Sequence, residues 1–302
     1  MRSLIKVGGT EFRIEGGLVR MGRLEADSYQ FLEDPPAMLA ALRQCGSRID
    51  LFHFMQKLPD TEPKYSYPME WDNLAALPVS TFEQWWTKTL GFKARNKAKQ
   101  AEKRGVSIRE AAFNDELVQG IWEVYNESPV RQGGPNTHYG KDVQTVYREE
   151  ATFLDSSIFI GAYFEGKLIG FIKMVQNETR TQAGLMNVVS MVKHRDKAPT
   201  NALVAHAVRI CAERKIPYLV YSRFAYGKKK TSSLTEFKER NGFQQVNLPR
   251  YYVPFTPLGW AAFHLGLHHR LAEYIPESLA SRLRGLRSAW YNRKFPTMAE
   301  SL

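Results

Sequence analysis

The chain has 302 residues, 43% of them hydrophobic, so it can bury a substantial core in one large domain or two modest ones. Its formal net charge of +11 favours an anionic partner such as RNA, a nucleotide, a phosphorylated precursor or an anionic membrane face. Cys45 and Cys211 are its only cysteines, and their distance in sequence argues against a disulfide framework. The sequence starts without an apolar signal core and has no run of about 18 apolar residues, so we expect a cytoplasmic protein.

Residues 1–80 have the pattern of a small α/β unit. Short strands and turns are predicted by LIKVGGTEFRIEGGLVRMGRL, a helix by DPPAMLAALRQC and a buried strand by IDLFHFM. Residues 58–78 carry prolines every few positions and predict a loop or linker. Ser80 and Glu83 then fit a capping box, which predicts that a helix begins there.

The next segment is strongly basic. Residues 88–109, KTLGFKARNKAKQAEKRGVSIR, contain eight Lys or Arg and a single acid. In a helix, like charges four residues apart cost roughly 0.2–0.5 kcal/mol per pair, so such one-sided charge favours a polyanion as partner, such as tRNA. The candidate RNA-binding residues are Lys93, Arg95, Lys97 and Lys99. The alternative is a solvated helix face with three alanines on its packed side.

The remaining elements alternate between helix and strand. Residues 115–128 predict an amphipathic helix, and residues 157–176 predict a hairpin that turns at Glu165-Gly166-Lys167. A strand, a helix from Thr200, another strand and a short closing helix follow, and the last one leads through Asn241-Gly242 into a further strand. This order predicts an α+β fold with a mixed central sheet and helices on both faces.

Phe159 to Val246 resembles the GNAT acyltransferase fold. The hairpin FIGAYFEGKLIGFI and the closing segment with Leu234, Phe237, Gly242 and Phe243 match the spacing of that superfamily. GNAT enzymes bind the pyrophosphate of coenzyme A with a glycine-bearing loop at a helix N-terminus, where backbone N–H groups converge on the anion. The corresponding segment here, VKHRDKAPTNAL, has no glycine and contains a proline, which weakens coenzyme A as the donor without excluding it.

Residues 81–256 look similar to the FemAB-like relatives of the Fem peptidoglycan peptidyltransferases. The basic helix approximates their pattern through Arg95, Asn96, Lys99, Gly105 and Val106, and a Phe-Lys pair stands near the closing Gly-Phe. The resemblance implies aminoacyl-tRNA as donor and an amine on an anionic, nucleotide- or lipid-linked precursor as acceptor, with cell-envelope or polysaccharide biosynthesis as the expected pathway. Fem proteins carry two full GNAT-type domains, so residues 1–80 would be at most a partial GNAT-like half.

The resemblance puts a functional lysine at Lys238, where many GNAT enzymes have a tyrosine. Lys238 is the candidate for stabilising the oxyanion or the leaving 3′-hydroxyl. Tyr221 is expected in the strand before the closing helix, facing the cleft or the core, and Phe237 is a substrate-binding or core residue. His194, Arg195 and Lys228 are candidate contacts for donor phosphate.

The loop NESPVRQGGPNTHYGK concentrates polar residues where GNAT enzymes build their acceptor site. Glu127 is a candidate general base or amine anchor, Arg131 and Lys141 could hold an acceptor phosphate or carboxylate, and Tyr139 could line the pocket. A structural loop rich in turn residues is the alternative. No metal motif is present, since the pair His268-His269 alone has no ligand geometry, and no tightly bound cofactor is expected.

Residues 257–302 predict a basic amphipathic helical tail. An apolar stripe with arginines beside it can lie on an anionic membrane surface or dock on its own domain. The sequence therefore predicts an acyltransferase with tRNA or acyl-CoA as donor and peripheral membrane contact as an option. Two alternatives stay open: an acetyl-CoA-dependent N-acetyltransferase, and a non-catalytic module that binds RNA or membrane.

Overall fold

A computed structural model of the chain describes residues 2–27, 29–131, 134–225, 232–269 and 286. The candidate phosphate contact Lys228 and nearly all of the predicted tail beyond residue 269 lie outside the described residues. Among the helices in those ranges, none is both long and apolar enough to cross a bilayer.

The described residues build one sheet of 11 strands and a separate two-stranded ribbon. In chain order the strands are β1 (Arg2–Val7), β2 (Thr10–Glu15), β3 (Met21–Leu24), β4 (Leu51–Met55), β5 (Met69–Pro78), β6 (Ser107–Ala111), β7 (Val130–Arg131), β8 (Gly134–Pro135), β9 (Ser157–Phe164), β10 (Lys167–Gln176), β11 (Ala183–Ser190), β12 (Tyr218–Arg223) and β13 (Gln244–Pro254). The ribbon is β7 and β8, and the large sheet has the order β1-β2-β3-β4-β13-β5-β12-β11-β10-β9-β6.

The sheet order contains an internal pseudo-symmetry. The strands β1, β2 and β3 are antiparallel, and β4 then pairs parallel to β3. The strands β9, β10 and β11 are likewise antiparallel, and β12 pairs parallel to β11. The last strand of each half pairs with the other half: β5 pairs with β12, and β13 pairs with β4. The first half therefore repeats the central part of the second and joins it through β13 and β5.

Eight α-helices are described in the resolved ranges. They are α1 (Pro35–Gln44), α2 (Phe82–Gln84), α3 (Phe92–Lys103), α4 (Asp115–Asn126), α5 (Val143–Glu150), α6 (Pro199–Glu213), α7 (Ser233–Arg240) and α8 (Pro257–His264). A π-helical turn (Trp85–Thr89) extends α2, and 3₁₀ turns cover Leu154–Ser156 and Val192–Lys197.

Helices cover both faces of the second half of the sheet. On one face, the Tyr125 ring of α4 meets the Phe171 ring edge-on at 5.7 Å. On the other face, Cys211 of α6 lies 3.9 Å from Met174, sulfur to sulfur. The prediction of an α+β fold with a mixed central sheet and helices on both faces is confirmed.

Three local predictions were wrong. The predicted linker at 58–78 includes β5, because its prolines end before Met69 or lie at the end of the strand, leaving its interior free to pair. The N-cap of α2 is Thr81, which accepts from the N–H of Gln84, while the hydroxyl of Ser80 bonds the Gln84 side chain. The helix predicted from Thr200 begins one residue earlier, at Pro199, where a missing N–H costs nothing.

Candidate active site

The parallel strands β11 and β12 separate soon after they begin to pair. They are in register only at Ala183 with Leu219 and at Gly184 with Val220. Beyond this point β12 bulges between Val220 and Arg223, and Ser222 has a φ of 50°. A bulge of this kind terminates pairing and redirects side chains. The result is an opening in the sheet between residues 186–190 and 221–223, which we call the wedge.

The helix α7 places Lys238 beside the wedge. The end of α7 is fixed by a Schellman motif, in which the N–H of Phe243 donates to the Lys238 carbonyl at 3.0 Å and the N–H of Gly242 donates to the Glu239 carbonyl at 2.9 Å. Gly242 has a φ of 87°, a conformation that costs glycine nothing. The Gly-Phe pair noticed in the sequence therefore sets the position of the residue that opens this motif, Lys238.

Lys238 is fully buried, although a lysine on a short helix is ordinarily exposed to solvent. Its ammonium group donates to the Arg223 carbonyl at the end of β12 and lies 4.9 Å from the centroid of the Tyr221 ring. Burial lowers the pKa of Lys238 to about 8. The structure thus brings Lys238 and Tyr221 together, while Phe237 is half-buried against the core.

Glu127 holds the other side of the site together. Its carboxylate accepts hydrogen bonds from the backbone N–H groups of Val192, at 3.0 Å, and Lys193, at 2.9 Å. These two groups open the 3₁₀ turn that follows β11, so Glu127 takes donors that an anion would otherwise find at a helix N-terminus. The geometry gives Glu127 a positioning role, and its role as a general base stays a prediction.

The acceptor candidates divide into two groups. Arg131 is half-buried, and its guanidinium donates to the Ser190 carbonyl at the end of β11, next to the wedge. Desolvation lowers the pKa of Arg131. Lys141 instead forms an ion pair with Glu149 at 2.6 Å, and Tyr139 is exposed away from these contacts. The structure therefore brings Arg131 to the wedge and leaves the other two at the surface.

The basic segment forms α3 and borders the 3₁₀ turn after β11. Ala94, Ala98 and Ala101 are buried on the packed side, as the sequence predicted. On one flank of the helix, Arg104 donates to the carbonyl of Asp196 at 3.0 Å and to its carboxylate at 2.8 Å. The loop carrying His194 and Arg195 is thereby attached to α3.

The basic residues differ in what they contact. Lys93 and Lys97 are exposed one turn apart on the flank that leads to Arg104, and Arg195 is exposed in the adjoining loop. We call Lys93, Lys97, Arg104 and Arg195 together the basic surface. Lys99 is also exposed, on the other flank. Arg95 bonds the carbonyls of Thr87 and Leu90 at 3.1 and 3.0 Å, so much of its guanidinium is used to hold the preceding π-helical turn.

A buried polar cluster next to the wedge was not predicted from the sequence. Glu150 accepts from the Tyr125 hydroxyl at 2.7 Å and from the Asn187 amide at 2.9 Å, and Lys173 donates to the Glu150 carbonyl at 2.8 Å. Burial raises the pKa of Glu150 and lowers that of Lys173 to about 8. The only available signal was Lys173 in an otherwise apolar run, LIGFIKMV. The cluster ties α4 and α5 to the sheet.

A cavity of about 1030 Å³ lies between the two halves of the sheet, away from Lys238. Several of its acidic side chains are already paired: Glu25 with Arg13 at 2.6 Å, and Glu33 with Lys57 at 2.6 Å. Met186, in the separated part of β11, is one of its lining residues. Because neither Lys238 nor Tyr221 lines this cavity, we place the candidate chemistry at the wedge.

The chain was compared with known proteins and structures. No protein-family profile and no curated protein sequence matches it. A domain described as the C-terminal part of a lysylphosphatidylglycerol synthetase from Agrobacterium fabrum has a TM-score of 0.57 at 11% identity and covers 87% of this chain and 86% of its own. L-PGS from Bacillus licheniformis has a TM-score of 0.55 at 14% identity, covering 87% of each chain. FemX has a TM-score of 0.56 at 10% identity, covering 82% of this chain and 87% of its own. The expected likeness to FemAB-type proteins is confirmed at the level of the fold.

Proposed function

We propose that the chain is a FemAB-like acyltransferase that moves an aminoacyl group from tRNA to an amine on an anionic cell-envelope precursor. The observation that carries this proposal is the buried Lys238, with a pKa near 8, beside an opening between parallel strands. The fold shared with FemX and with the lysylphosphatidylglycerol synthetase domain supports aminoacyl transfer to an envelope component, since the second name describes an aminoacylated phospholipid.

The reaction would form one amide bond and break one ester bond. The amine nitrogen attacks the carbonyl carbon of the aminoacyl ester, and an oxyanion develops on the carbonyl oxygen. The protonated Lys238 stabilises that oxyanion, the bond to the 3′-oxygen breaks, and Lys238 supplies the proton that the leaving hydroxyl needs. The amine then loses a proton, which restores the lysine. A lysine with a pKa near 8 is mostly protonated at pH 7 and still gives up a proton readily.

The basic surface supports tRNA as the donor. Lys93, Lys97, Arg104 and Arg195 lie on one helix flank and on the loop attached to it. Phe92 at the start of α3 is 73% exposed, and an exposed aromatic ring beside lysines is suited to stack on a nucleobase. The N–H of Gly91 donates to the Arg240 carbonyl at 2.9 Å, so α3 adjoins the end of the helix that carries Lys238. A tRNA sugar-phosphate backbone that is bound to the basic surface would lead toward the wedge.

The same geometry argues against coenzyme A as the donor. In this fold the turn after β11 is where backbone N–H groups would receive a pyrophosphate, and here two of those groups bond Glu127. A diphosphate at this point would have to displace a carboxylate. Equilibrium binding of acetyl-coenzyme A and of charged tRNA to the purified chain distinguishes the donors directly. We expect saturable binding of charged tRNA only, and binding of acetyl-coenzyme A alone would refute the proposal.

We further propose that residues 1–80 are a partial GNAT-like half that completes the sheet, and that the protein acts in the cytoplasm at the inner membrane face. The repeated strand order of the two halves supports the first point. Trp260, Leu265 and Leu267 at the start of the tail are more than half exposed, which supports contact with a lipid surface.

A further inference from the structure

Two histidines that follow α8 meet a glutamate from β5 on the first half of the sheet. The Nε2 atom of His268 lies 3.0 Å from Oε1 of Glu70, and the Nε2 atom of His269 lies 3.1 Å from the same oxygen. All three potential ligand atoms lie within 4.8 Å of one another. They come from positions about 200 residues apart in the sequence, so no sequence motif links them.

The backbone that carries the histidines is rigidly defined. The helix α8 ends in a Schellman motif, where the N–H of Leu267 donates to the Ala262 carbonyl at 2.8 Å and the N–H of Gly266 to the Phe263 carbonyl at 3.0 Å. Gly266 has a φ of 69°, which favours glycine. The N–H of His269 then bonds the Gly266 carbonyl at 3.1 Å. The turn therefore directs both imidazoles to the same side before any ligand binds.

The surroundings also orient the ligand atoms. The His268 side chain is only 2% exposed, and its ring stacks on Phe263 at 5.1 Å and lies 4.6 Å from the Tyr252 ring. Glu70 and His269 are about one-third exposed, which leaves one side of the cluster open to solvent.

We propose that Glu70, His268 and His269 bind a divalent transition-metal ion such as zinc, with one coordination position left for water or a small anion. Two imidazoles and one carboxylate are a common zinc ligand set, and three protein ligands with an open position are typical of accessible zinc sites. Zinc bonds of about 2.0–2.1 Å place tetrahedral ligand atoms roughly 3.3 Å apart. The separations of 3.0 and 3.1 Å from Glu70 are only a few tenths of an ångström shorter than this. The ion clamps the chain that follows α8 onto β5.

The site is distinct from the proposed transfer chemistry. Glu70 lies four residues before Leu74, the position on β5 that pairs with Arg223 at the wedge, which corresponds to about 13 Å along a strand. Metal binding and transfer activity can therefore be measured separately, and failure of one proposal leaves the other standing.

The test is a titration of the metal-free full chain with zinc alone, monitored by isothermal titration calorimetry at neutral pH. We expect one equivalent to bind saturably and to raise the midpoint of thermal unfolding, since a ligand that binds only the folded state stabilises it. Glu70→Gln and His268→Ala should each weaken binding at least tenfold. His264→Ala is the matched control, because this exposed histidine lies on α8 outside the cluster and should leave the affinity unchanged.

His268 is buried, so its replacement could unfold the segment. His269→Ala removes the more exposed imidazole and should weaken zinc binding while circular dichroism shows an intact fold. Absence of a saturable one-to-one zinc isotherm for the wild-type chain would overturn the proposal. So would an unchanged affinity in folded Glu70→Gln and His269→Ala proteins, because the three side chains would then form only a hydrogen-bonded cluster.

Discussion

The Lys238 ammonium lies 4.9 Å from the centre of the Tyr221 ring and donates to the Arg223 carbonyl, at the point where two parallel strands separate. If the protonated lysine stabilises the oxyanion, Lys238→Met should lower kcat by about 10²–10³-fold with little change in donor affinity. The wild-type rate should also fall as pH rises through about 8, the pKa of this group. Both are measured as transfer from charged tRNA across a pH series.

A matched control for this variant is Lys173→Met. Lys173 is equally buried and also has a pKa of about 8, but it bonds the Glu150 carbonyl and holds α5 on the sheet. We expect the Lys173→Met protein to have a lower free energy of unfolding without a comparable loss of kcat. Equal losses in both variants would show that activity follows fold integrity alone, and full activity in folded Lys238→Met would show that Lys238 is not the group that stabilises the oxyanion.

The same lysine predicts a pH dependence of stability. Its pKa is near 8 in the folded chain and 10.5 ordinarily, so between these values the unfolded state binds more protons and the free energy of unfolding rises with pH. The wild type should therefore gain about 3 kcal/mol relative to Lys238→Met between pH 8 and 10.5. Urea denaturation of both proteins at several pH values measures this difference. Parallel stability curves would contradict it.

Local patterns predicted most of the second half of the fold. The hairpin turn at Glu165-Gly166, the amphipathic helix α4 and the Gly-Phe end of α7 each have a signal within a few neighbouring residues, because turn and cap chemistry is local. The position of β5 had no such signal. It pairs with β12 and β13, which follow it by well over a hundred residues, and its flanking prolines resembled those of a loop.

The residues of the candidate site could likewise be predicted from the sequence only in part. Lys238 could be singled out because a family pattern marks it, but its burial depends on Arg223 and Tyr221, which only the tertiary fold brings close. Glu127 was a candidate from the sequence, yet its two backbone partners could not be predicted from a loop sequence. Glu70 carried no signal at all, because its partners His268 and His269 come from the far end of the chain.

The basic surface should determine how tRNA binding responds to salt. Replacing Lys93, Lys97 and Arg195 by Gln removes three exposed charges and should reduce the slope of log affinity against log salt by about 2, since each phosphate contact contributes roughly 0.7–0.9. Filter binding or fluorescence anisotropy from low to moderate salt gives the slope. Lys6, Lys167 and Lys215 are exposed elsewhere, and their triple change to Gln removes the same charge as a control. Equal slopes in both triple variants would place the tRNA elsewhere.

Removing Glu127 should uncover an anion site. Glu127→Ala frees the N–H groups of Val192 and Lys193, so we expect pyrophosphate and coenzyme A to bind more tightly than to the wild type. Loss of two hydrogen bonds to a charged group should also lower the free energy of unfolding by about 1–3 kcal/mol. Glu123→Ala makes the same change of charge at an exposed position one turn earlier. Calorimetry with pyrophosphate should show a gain only for Glu127→Ala, and an equal gain in both would mean that net charge alone is responsible.

Membrane contact by the tail can be tested without damaging the core. Ala262 of α8 is fully buried and the Gly259 Cα packs against the Asp50 backbone, so a truncation near residue 257 would expose the sheet. A chain that ends after His269 keeps α8 and should bind anionic vesicles more weakly than the full chain in co-sedimentation, because it lacks the arginine-bearing tail. Replacing Trp260 and Leu265 by Ser in that shorter chain should remove most of the remaining binding, since both side chains are more than half exposed. Vesicles of neutral lipid control for charge, and equal sedimentation of the full and shortened chains would show that the tail has no part in membrane binding.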